Sequence, residues 1–154
     1  MRILEIRYIT EKDVPLVKKL FEESSAKLYT DFEPDDVDDT DFYVGAFISD
    51  KGQKRLVGIC TIGSTIGTEL ERMDTEDCIL SNVFVDNRFR DRGYGSAIVK
   101  KAVKLAAKAF SDKGCIMYAD ILDYDLANWY FRLGFEVHEI NSLCKPVSVK
   151  KRLH

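Results

Sequence analysis

Residues 78–96 decide the fold and read Cys-Ile-Leu-Ser-Asn-Val-Phe-Val-Asp-Asn-Arg-Phe-Arg-Asp-Arg-Gly-Tyr-Gly-Ser. The first half is an apolar run typical of a buried strand, and the second half has the glycines of a turn that leads into a helix. Glycines let the main chain turn and approach a ligand closely. The N–H groups at the start of a helix carry partial positive charge, and arginines at positions 88, 90 and 92 add mobile positive charge. The stretch therefore predicts an anion site built from backbone at a strand-to-helix turn.

Outward from this stretch, apolar periodicity predicts an alternation of strands and helices. Strands are predicted at residues 3–9, 42–48, 55–62, 78–86, 115–119, 135–140 and 147–151, with helices after Thr10, at residues 95–111 and at residues 124–133. The order β-α-β-β-β-α-β-α-β-β contains one βαβ unit, which requires a parallel pair, between antiparallel hairpins. We therefore expect an α/β (α+β) fold with a mixed, mostly antiparallel sheet of six to seven strands and helices on both faces.

Local signals mark the ends of several elements. Thr10 and Asp13 have the spacing of a capping box, and the apolar positions of the helix that follows continue to Leu28. The Asp-Lys-Gly turn at residues 50–52 predicts a hairpin, and Gly134 is expected to end the last helix. No repeat, linker or composition break divides the chain, so we expect a single domain over residues 1–154.

Composition argues against several classes of function. The chain has 154 residues, of which 45% are hydrophobic and 32% charged, with a net charge of −3 and a pI near 5.5. This balance does not fit a nucleic-acid binder. No apolar run is long enough to span a bilayer, and the charged N-terminus does not fit a secretory signal. Four widely spaced cysteines and two histidines give no metal-ligand spacing. We therefore expect a reduced, cytoplasmic protein that binds no metal, membrane or nucleic acid.

Two motifs together resemble the GNAT N-acetyltransferase superfamily. Residues 83–96 resemble its motif A, which ends in Gln/Arg-x-x-Gly-x-Gly/Ala and is matched by Arg90, Gly93 and Gly95. Residues 130–135, Tyr-Phe-Arg-Leu-Gly-Phe, resemble the Tyr-x-x-x-Gly-Phe end of the family's last helix. A P-loop would need Lys-Ser/Thr after its glycines, and a Rossmann fingerprint would need a third small residue, so both fit less well. The predicted element order fits the family fold, whose sheet is splayed between the fourth and fifth strands.

The resemblance implies that acetyl-CoA (coenzyme A) is the cofactor and that the glycine turn holds its pyrophosphate. Arginine side chains would add charge-assisted contacts, and the edge of the fourth strand would pair with the pantetheine amides. A backbone N–H near Phe84 would polarise the thioester carbonyl. The implied cofactor-binding residues are Val83, Phe84, Val85, Arg90, Asp91, Arg92, Gly93, Tyr94, Gly95, Ser96 and Asp123.

The resemblance also implies a general acid, but it leaves the general base open. Tyr130 stands where the family has a tyrosine that protonates the departing thiolate, and pKa values of about 10 for Tyr and about 8.5 for a thiol make this transfer feasible. Ser81 stands where many members have the Glu that serves as base. Glu76, Asp77 and Asp120 are the remaining candidates, and none of them is assigned.

These observations lead us to expect an N-acetyltransferase that moves an acetyl group from acetyl-CoA to a primary amine by direct attack in a ternary complex. The alternative is a catalytically silent acyl-CoA-binding or sensing module, which the missing Glu favours and Tyr130 opposes. A third interpretation gives the main role to an acidic segment at residues 31–41, which would otherwise steer a cationic acceptor or form a solvated loop. Its carboxylates are Asp31, Glu33, Asp35, Asp36, Asp38, Asp39 and Asp41. The acceptor, a small molecule or a peptide, is left open, and the C-terminal strands allow a homodimer.

Overall fold

The computed structural model describes residues 3–37 and 42–154, whose seven strands form one mixed sheet with flanking helices. The strands are β1 (Ile3–Tyr8), β2 (Phe42–Asp50), β3 (Gln53–Ser64), β4 (Cys78–Val85), β5 (Ile116–Asp120), β6 (Glu136–Ile140) and β7 (Pro146–Arg152). The α-helices are α1 (Val14–Glu23), α2 (Ala26–Tyr29), α3 (Tyr94–Ala109) and α4 (Leu126–Arg132). The strand order is β1-β2-β3-β4-β5-β7-β6. The predicted element order and fold class are therefore confirmed.

The parallel pair of the sheet joins β4 to β5. Its register pairs Cys78–Leu80 with Met117–Ala119, and β4 then continues to Val85. A parallel pair needs a long crossover connection, which α3 provides. The pairs β1–β2, β2–β3, β5–β7 and β6–β7 are antiparallel, as expected for a mostly antiparallel sheet. Two residues after the paired segment, Asn82 adopts a left-handed conformation with φ of 56°, which is uncommon for a residue other than glycine.

The described residues group into two compact units. The first comprises Met1–Ile62 and Asn82–Ala102. Its core forms where the apolar side of α1 packs with β2, β3 and the end of β4. The members of this core are Ile9, Val17, Leu20, Phe21, Ala26, Phe32, Val37, Tyr43, Phe47, Leu56, Ile59 and Phe84. Gly58 permits a close approach of α3, since a Cβ there would lie 2.5 Å from Ile98 Cδ1 and 3.1 Å from Phe84 O.

The second unit comprises Gly63–Ser81 and Val103–His154. Its buried strand residues are Cys78, Leu80, Met117, Tyr118, Ala119, Ser148 and Val149. Burial raises the pKa of the Cys78 thiol to about 12, and it also raises the pKa of Cys115. Both cysteines are unpaired and buried, so they act as small hydrophobic side chains. The prediction of a single domain over residues 1–154 stays a prediction.

The local signals of the sequence are found in the structure. Asp13 Oδ2 accepts a hydrogen bond of 2.9 Å from Thr10 N–H, as a capping box requires. Lys51 and Gly52 have φ of 52° and 79°, so β2 and β3 are joined by a tight turn with two left-handed residues. The end of α4 is marked by Gly134, with φ of 92°.

The first helix is shorter than predicted. It ends at Glu23 because Ser24 is extended, and the Ser24 hydroxyl donates to Leu20 O, the carbonyl that also accepts the last helical N–H. The chain resumes as the short α2, in which Leu28 is 80% exposed. The prediction of one helix to Leu28 was therefore wrong. Within the part of the chain that the structure describes, no helix is long and apolar enough to cross a membrane.

Candidate functional site

The turn between β4 and α3 has the geometry of a backbone anion site. Asp91 and Gly93 both have left-handed φ values, of 63° and 79°. The N–H of Ala97 donates to Gly93 O at 3.1 Å at the start of α3. In general, the first N–H groups of an α-helix point out of its N-terminus and can bind an anion. A Cβ built at Gly93 meets no atom within 4 Å, so the backbone there is open to a ligand. These features fit a phosphate group.

Two arginines of this turn are exposed. Arg90 Nε donates to Val85 O at 3.0 Å, and its guanidinium lies 5.7 Å from the centre of the Phe84 ring. The guanidinium of Arg92 lies 5.5 Å from the centre of the Phe89 ring. The Val85 carbonyl, at the end of the strand segment predicted to pair with the pantetheine amides, thus accepts one bond from a side chain. Arg90 and Arg92 are thus placed on the turn by aromatic contacts, with their charge at the surface.

Arg88 is not the mobile charge that the sequence suggested. Its Nη2 lies 2.7 Å from Asp86 Oδ2 and 3.1 Å from Glu23 Oε2, and its Nε and N–H also donate to the Asp86 carboxylate. Asp86 is fully buried at the end of β4, where its N–H donates to Val57 O. Burial raises the pKa of Asp86, but the hydrogen bonds from Arg88 lower it by more, and the net pKa lies below its usual range. Arg88 therefore neutralises a buried carboxylate.

Glu23 and Asn82 are two residues of this region that the sequence did not single out. Glu23 Oε2 accepts from Arg55 at 3.2 Å as well as from Arg88, so the end of α1 is tied to the turn after β4. The Asn82 amide donates to Thr61 Oγ1 at 3.1 Å and accepts from Asp31 N–H at 2.9 Å. These partners are distant in sequence, and no local pattern signals such pairs.

Phe84 is part of the core of the first unit. Its side chain is buried and stacks on the Tyr29 ring, with ring centres 5.8 Å apart. Val83 and Val85 are half-buried neighbours on the same strand. The side chain of Phe84 thus fixes the end of β4, and any role of this segment toward a ligand belongs to its backbone.

Tyr130 is held on α4 by aromatic packing. It is 5% exposed, and its ring lies edge-on to Phe135 and Trp129, with ring centres 5.4 and 4.8 Å away. Its carbonyl accepts hydrogen bonds from Leu133 N–H and Phe135 N–H. These two bonds end the helix around Gly134, which lies between the two donors. The Tyr-x-x-x-Gly-Phe motif is therefore one packed structure, in which the aromatic residues fix the orientation of the Tyr130 ring.

Asp123 lies at the start of α4 and is exposed. Its Oδ1 accepts from Asp125 N–H at 3.0 Å, and its carbonyl accepts from Leu126 N–H at 2.9 Å. Both bonds shape the turn that begins the helix. The structure thus gives Asp123 a local role, and its contact with a cofactor stays a prediction.

Of the three carboxylates considered as a general base, Asp77 is ruled out by its contacts. It is fully buried and accepts Arg72 Nε at 2.6 Å, Arg72 Nη2 at 2.7 Å and Ile116 N–H at 2.8 Å. A carboxylate with these three donors and no exposed surface is not accessible to a substrate, so it cannot take a proton from one. Glu76 and Asp120 are both exposed.

The acidic segment is described only in part, because Asp38, Asp39 and Asp41 lie outside the described residues. In the described part, Asp36 Oδ2 accepts from Glu33 N–H at 2.9 Å, and Asp35 lies 3.2 Å from Lys18 Nζ. Among residues 3–37 and 42–154, no group of three or more His, Cys, Asp or Glu side chains is placed to hold a metal ion.

Comparison with known proteins identifies the fold. A family model described as an acetyltransferase (GNAT) domain matches residues 40–137. The chain is similar to the NAA60 protein of Arabidopsis thaliana in complex with acetyl-CoA, with a TM-score of 0.65, 16% identity and 96% of each chain covered. It is also similar to a GNAT-family acetyltransferase from Streptococcus pneumoniae, with a TM-score of 0.63, 16% identity and 99% and 100% of the two chains covered.

A third similar structure is N-acetylglutamate synthase from Neisseria gonorrhoeae, complexed with coenzyme A and N-acetyl-glutamate. Its TM-score is 0.65 at 13% identity, and the match covers 99% of this chain but 35% of that one. No curated protein matches the sequence significantly. The structural similarities show the fold, and the family model adds the match in sequence.

Proposed function

The chain belongs to the GNAT acetyltransferase family, and we propose that it transfers an acetyl group from acetyl-CoA to a primary amine. The observation that carries this proposal is the turn after β4. In that turn, Asp91 and Gly93 have left-handed φ values and lead into the first turn of α3, beside exposed arginines. Acetyl-CoA supplies the acetyl group as an activated thioester.

We assign the pyrophosphate of coenzyme A to residues 91–96. The first-turn N–H groups of α3 would donate to the phosphate oxygens, and the positive end of the helix would add to the attraction. Arg90 and Arg92 are exposed and can make charge-assisted contacts. Arg88 is left out, because Asp86 and Glu23 already hold its guanidinium. The backbone of Val83–Val85 would pair with the pantetheine amides, and a backbone N–H near Phe84 would stabilise negative charge on the thioester carbonyl oxygen.

We propose Tyr130 as the general acid. As the amine nitrogen forms its bond to the acetyl carbon and the carbon–sulfur bond breaks, the Tyr130 hydroxyl would give its proton to the departing thiolate. The ammonium must lose one proton before it attacks, and Glu76 or Asp120 would accept it directly or through water. The second proton, lost from nitrogen as the amide forms, would restore the Tyr130 hydroxyl. The packing of the Tyr130 ring against Phe135 supports this role, because a general acid has to be held in one orientation.

Direct attack by the amine is supported by the state of the cysteines. A covalent route needs a reactive thiolate, and the three buried thiols have their pKa raised by burial. Cys144 is exposed, in the loop between β6 and β7. We further propose a small-molecule or peptide acceptor, a cytoplasmic location and, through the C-terminal strands, a possible pairing of two copies.

Turnover of acetyl-CoA over a panel of primary amines tests this function. Thiol release and the mass of the acetylated product should agree for at least one amine, and coenzyme A should raise the melting temperature of the protein. Binding of coenzyme A without turnover of any amine would instead favour the silent acyl-CoA-binding module. A protein that neither binds nor is stabilised by coenzyme A would contradict both.

A further inference from the structure

Ser148 is a buried hydroxyl without a hydrogen-bond partner. It lies on β7, is 6% exposed, and its Oγ has no partner among the residues that the structure describes. A buried polar group left in this way costs free energy, which native proteins avoid unless the group has a further role. An unpartnered buried hydroxyl therefore points to a ligand that completes its hydrogen bonding.

Carboxylates face Ser148 from both neighbouring strands. The antiparallel register pairs Ser148 with Asp120 of β5 on one side and with Glu139 of β6 on the other. Directly opposed residues point to the same face of a sheet, with Cβ atoms roughly 4.5–5.5 Å apart. The pairing of β6 with β7 shifts in register on either side of Glu139. His138 and Glu139 therefore lie together opposite Ser148, as two residues of a β-bulge lie opposite one. The ring of His138 packs on Tyr118, with centres 4.8 Å apart, which places it on this same face.

The two carboxylates have few partners of their own. The side chain of Asp120 is exposed and forms no ion pair within the described residues, and Glu139 has only His138, whose Nε2 lies 3.5 Å from its Oε1. The neighbouring cation on this face, Lys150, is paired in register with Tyr118 and with Glu136. On this face Glu136 therefore lies opposite Lys150, whereas Ser148 has a carboxylate opposite it on each side.

We propose that Ser148, Asp120 and Glu139 bind an alkylammonium group of the acceptor, which therefore carries a second positive charge, as a diamine does. An ammonium group has three N–H donors and no acceptor, and this site offers a hydroxyl oxygen and two carboxylates that accept. The three residues come from three adjacent strands of the second unit, so the sheet itself fixes their spacing. The inference rests on the proposed acetyl transfer to an amine and names the class of that amine.

Binding of butane-1,4-diamine, followed by nuclear magnetic resonance, tests the site without any need for turnover. The amide signals of Asp120, Ser148 and Glu139 should shift with the diamine and not with butane-1,4-diol, which has the same length without charge. Ser148→Ala, Asp120→Asn and Glu139→Gln should each raise the dissociation constant about tenfold, the loss expected for one hydrogen bond to a charged group. Glu136→Gln is the matched control, since it removes the same charge from β6 opposite Lys150 and should leave binding unchanged.

A parallel measurement of acetylation separates this inference from the proposed function. The value of kcat/KM for the diamine should fall in Ser148→Ala and Glu139→Gln, neither of which is a candidate for the general base, with the KM for acetyl-CoA unchanged. Diamine binding that the variants weaken, in a protein that acetylates no amine, would overturn the proposed function and support the site. Acetylation of the diamine that is equal in wild type and in all three variants would overturn the site and leave the function in place.

Discussion

The guanidinium of Arg72 binds the fully buried carboxylate of Asp77 through two hydrogen bonds, of 2.6 and 2.7 Å. The same carboxylate accepts Ile116 N–H at 2.8 Å, and Arg72 Nη2 also donates to Gly114 O at 2.9 Å. The start of β4 is thereby joined to the start of β5 through the Asp77 carboxylate, which Arg72 neutralises. Asp77, one of the three unassigned candidates for the general base in the sequence, thus links the two parallel strands.

We predict that Arg72→Met lowers the free energy of unfolding by about 3 kcal/mol, because it leaves the Asp77 carboxylate buried without its counter-charge. Urea unfolding measures this loss. Arg132→Met removes an exposed arginine from α4 and should change stability little. The double variant Arg72→Met with Asp77→Asn should recover part of the loss. Equal stability of wild type and Arg72→Met would show that the ion pair does not have this role.

Arg88 and Arg92 should differ in what they support. Arg88→Met leaves the buried Asp86 unpaired, so we predict a loss of about 3 kcal/mol in the free energy of unfolding. Arg92→Met should leave stability nearly unchanged and weaken coenzyme A binding roughly tenfold, as expected for one charge-assisted contact. Calorimetric titration with coenzyme A, beside urea unfolding, measures both quantities. The assignment fails if Arg92→Met binds coenzyme A as wild type does.

The pH dependence of stability should report Asp86. Its folded pKa is lowered, since the bonds from Arg88 outweigh the effect of burial, so its contribution is fully present above the unfolded pKa of about 3.9. The contribution is lost as the pH falls through the folded pKa. We predict that, as the pH falls below about 4, the free energy of unfolding decreases more steeply in wild type than in Asp86→Asn. Asp35→Asn, which changes an exposed carboxylate, should keep the wild-type slope; identical slopes for all three proteins would argue against a buried Asp86 ion pair.

Features set by neighbouring residues could be predicted from the sequence. The Thr10–Asp13 capping box, the turn at Lys51 and Gly52, and the end of α4 at Gly134 depend on residues a few positions apart, and all three were correct. The parallel pair between antiparallel flanks could be predicted because a βαβ unit requires parallel strands. The helix end at Glu23 was missed because the apolar spacing of a helix continues in the sequence to Leu28. In the structure the Ser24 hydroxyl bonds to the backbone carbonyl of Leu20, as serines at helix ends do.

The roles of charged residues could not be predicted in the same way. Asp77 and Arg88 looked like exposed functional groups because nothing nearby in sequence shows that a carboxylate is buried. Their environment is created by partners that only the fold brings close, such as Ile116 for Asp77 and Glu23 for Arg88. The unpartnered hydroxyl of Ser148 is visible only once the register of β5, β6 and β7 is known.

Gly93→Ala tests the turn with a control of matched backbone strain. Gly93 and Gly67 have φ of 79° and 83°, and a Cβ at either position meets no atom within 4 Å. Alanine at each should therefore cost a similar free energy of unfolding, about 1 kcal/mol. We predict that only Gly93→Ala raises the dissociation constant of coenzyme A. If Gly67→Ala weakens binding to the same extent, the effect comes from lost stability and the pyrophosphate assignment is contradicted.

The most direct test of the proposed acetyl transfer is the steady-state kinetics of Tyr130→Phe with acetyl-CoA and the best amine of the panel. We predict that kcat falls roughly a hundredfold, the contribution typical of a general acid, while the KM for acetyl-CoA stays close to that of wild type. Tyr124→Phe is the matched control, because it removes an exposed hydroxyl bonded to Asn141 and should leave kcat unchanged. A Tyr130→Phe enzyme with the kcat of wild type would contradict the role of Tyr130 as general acid.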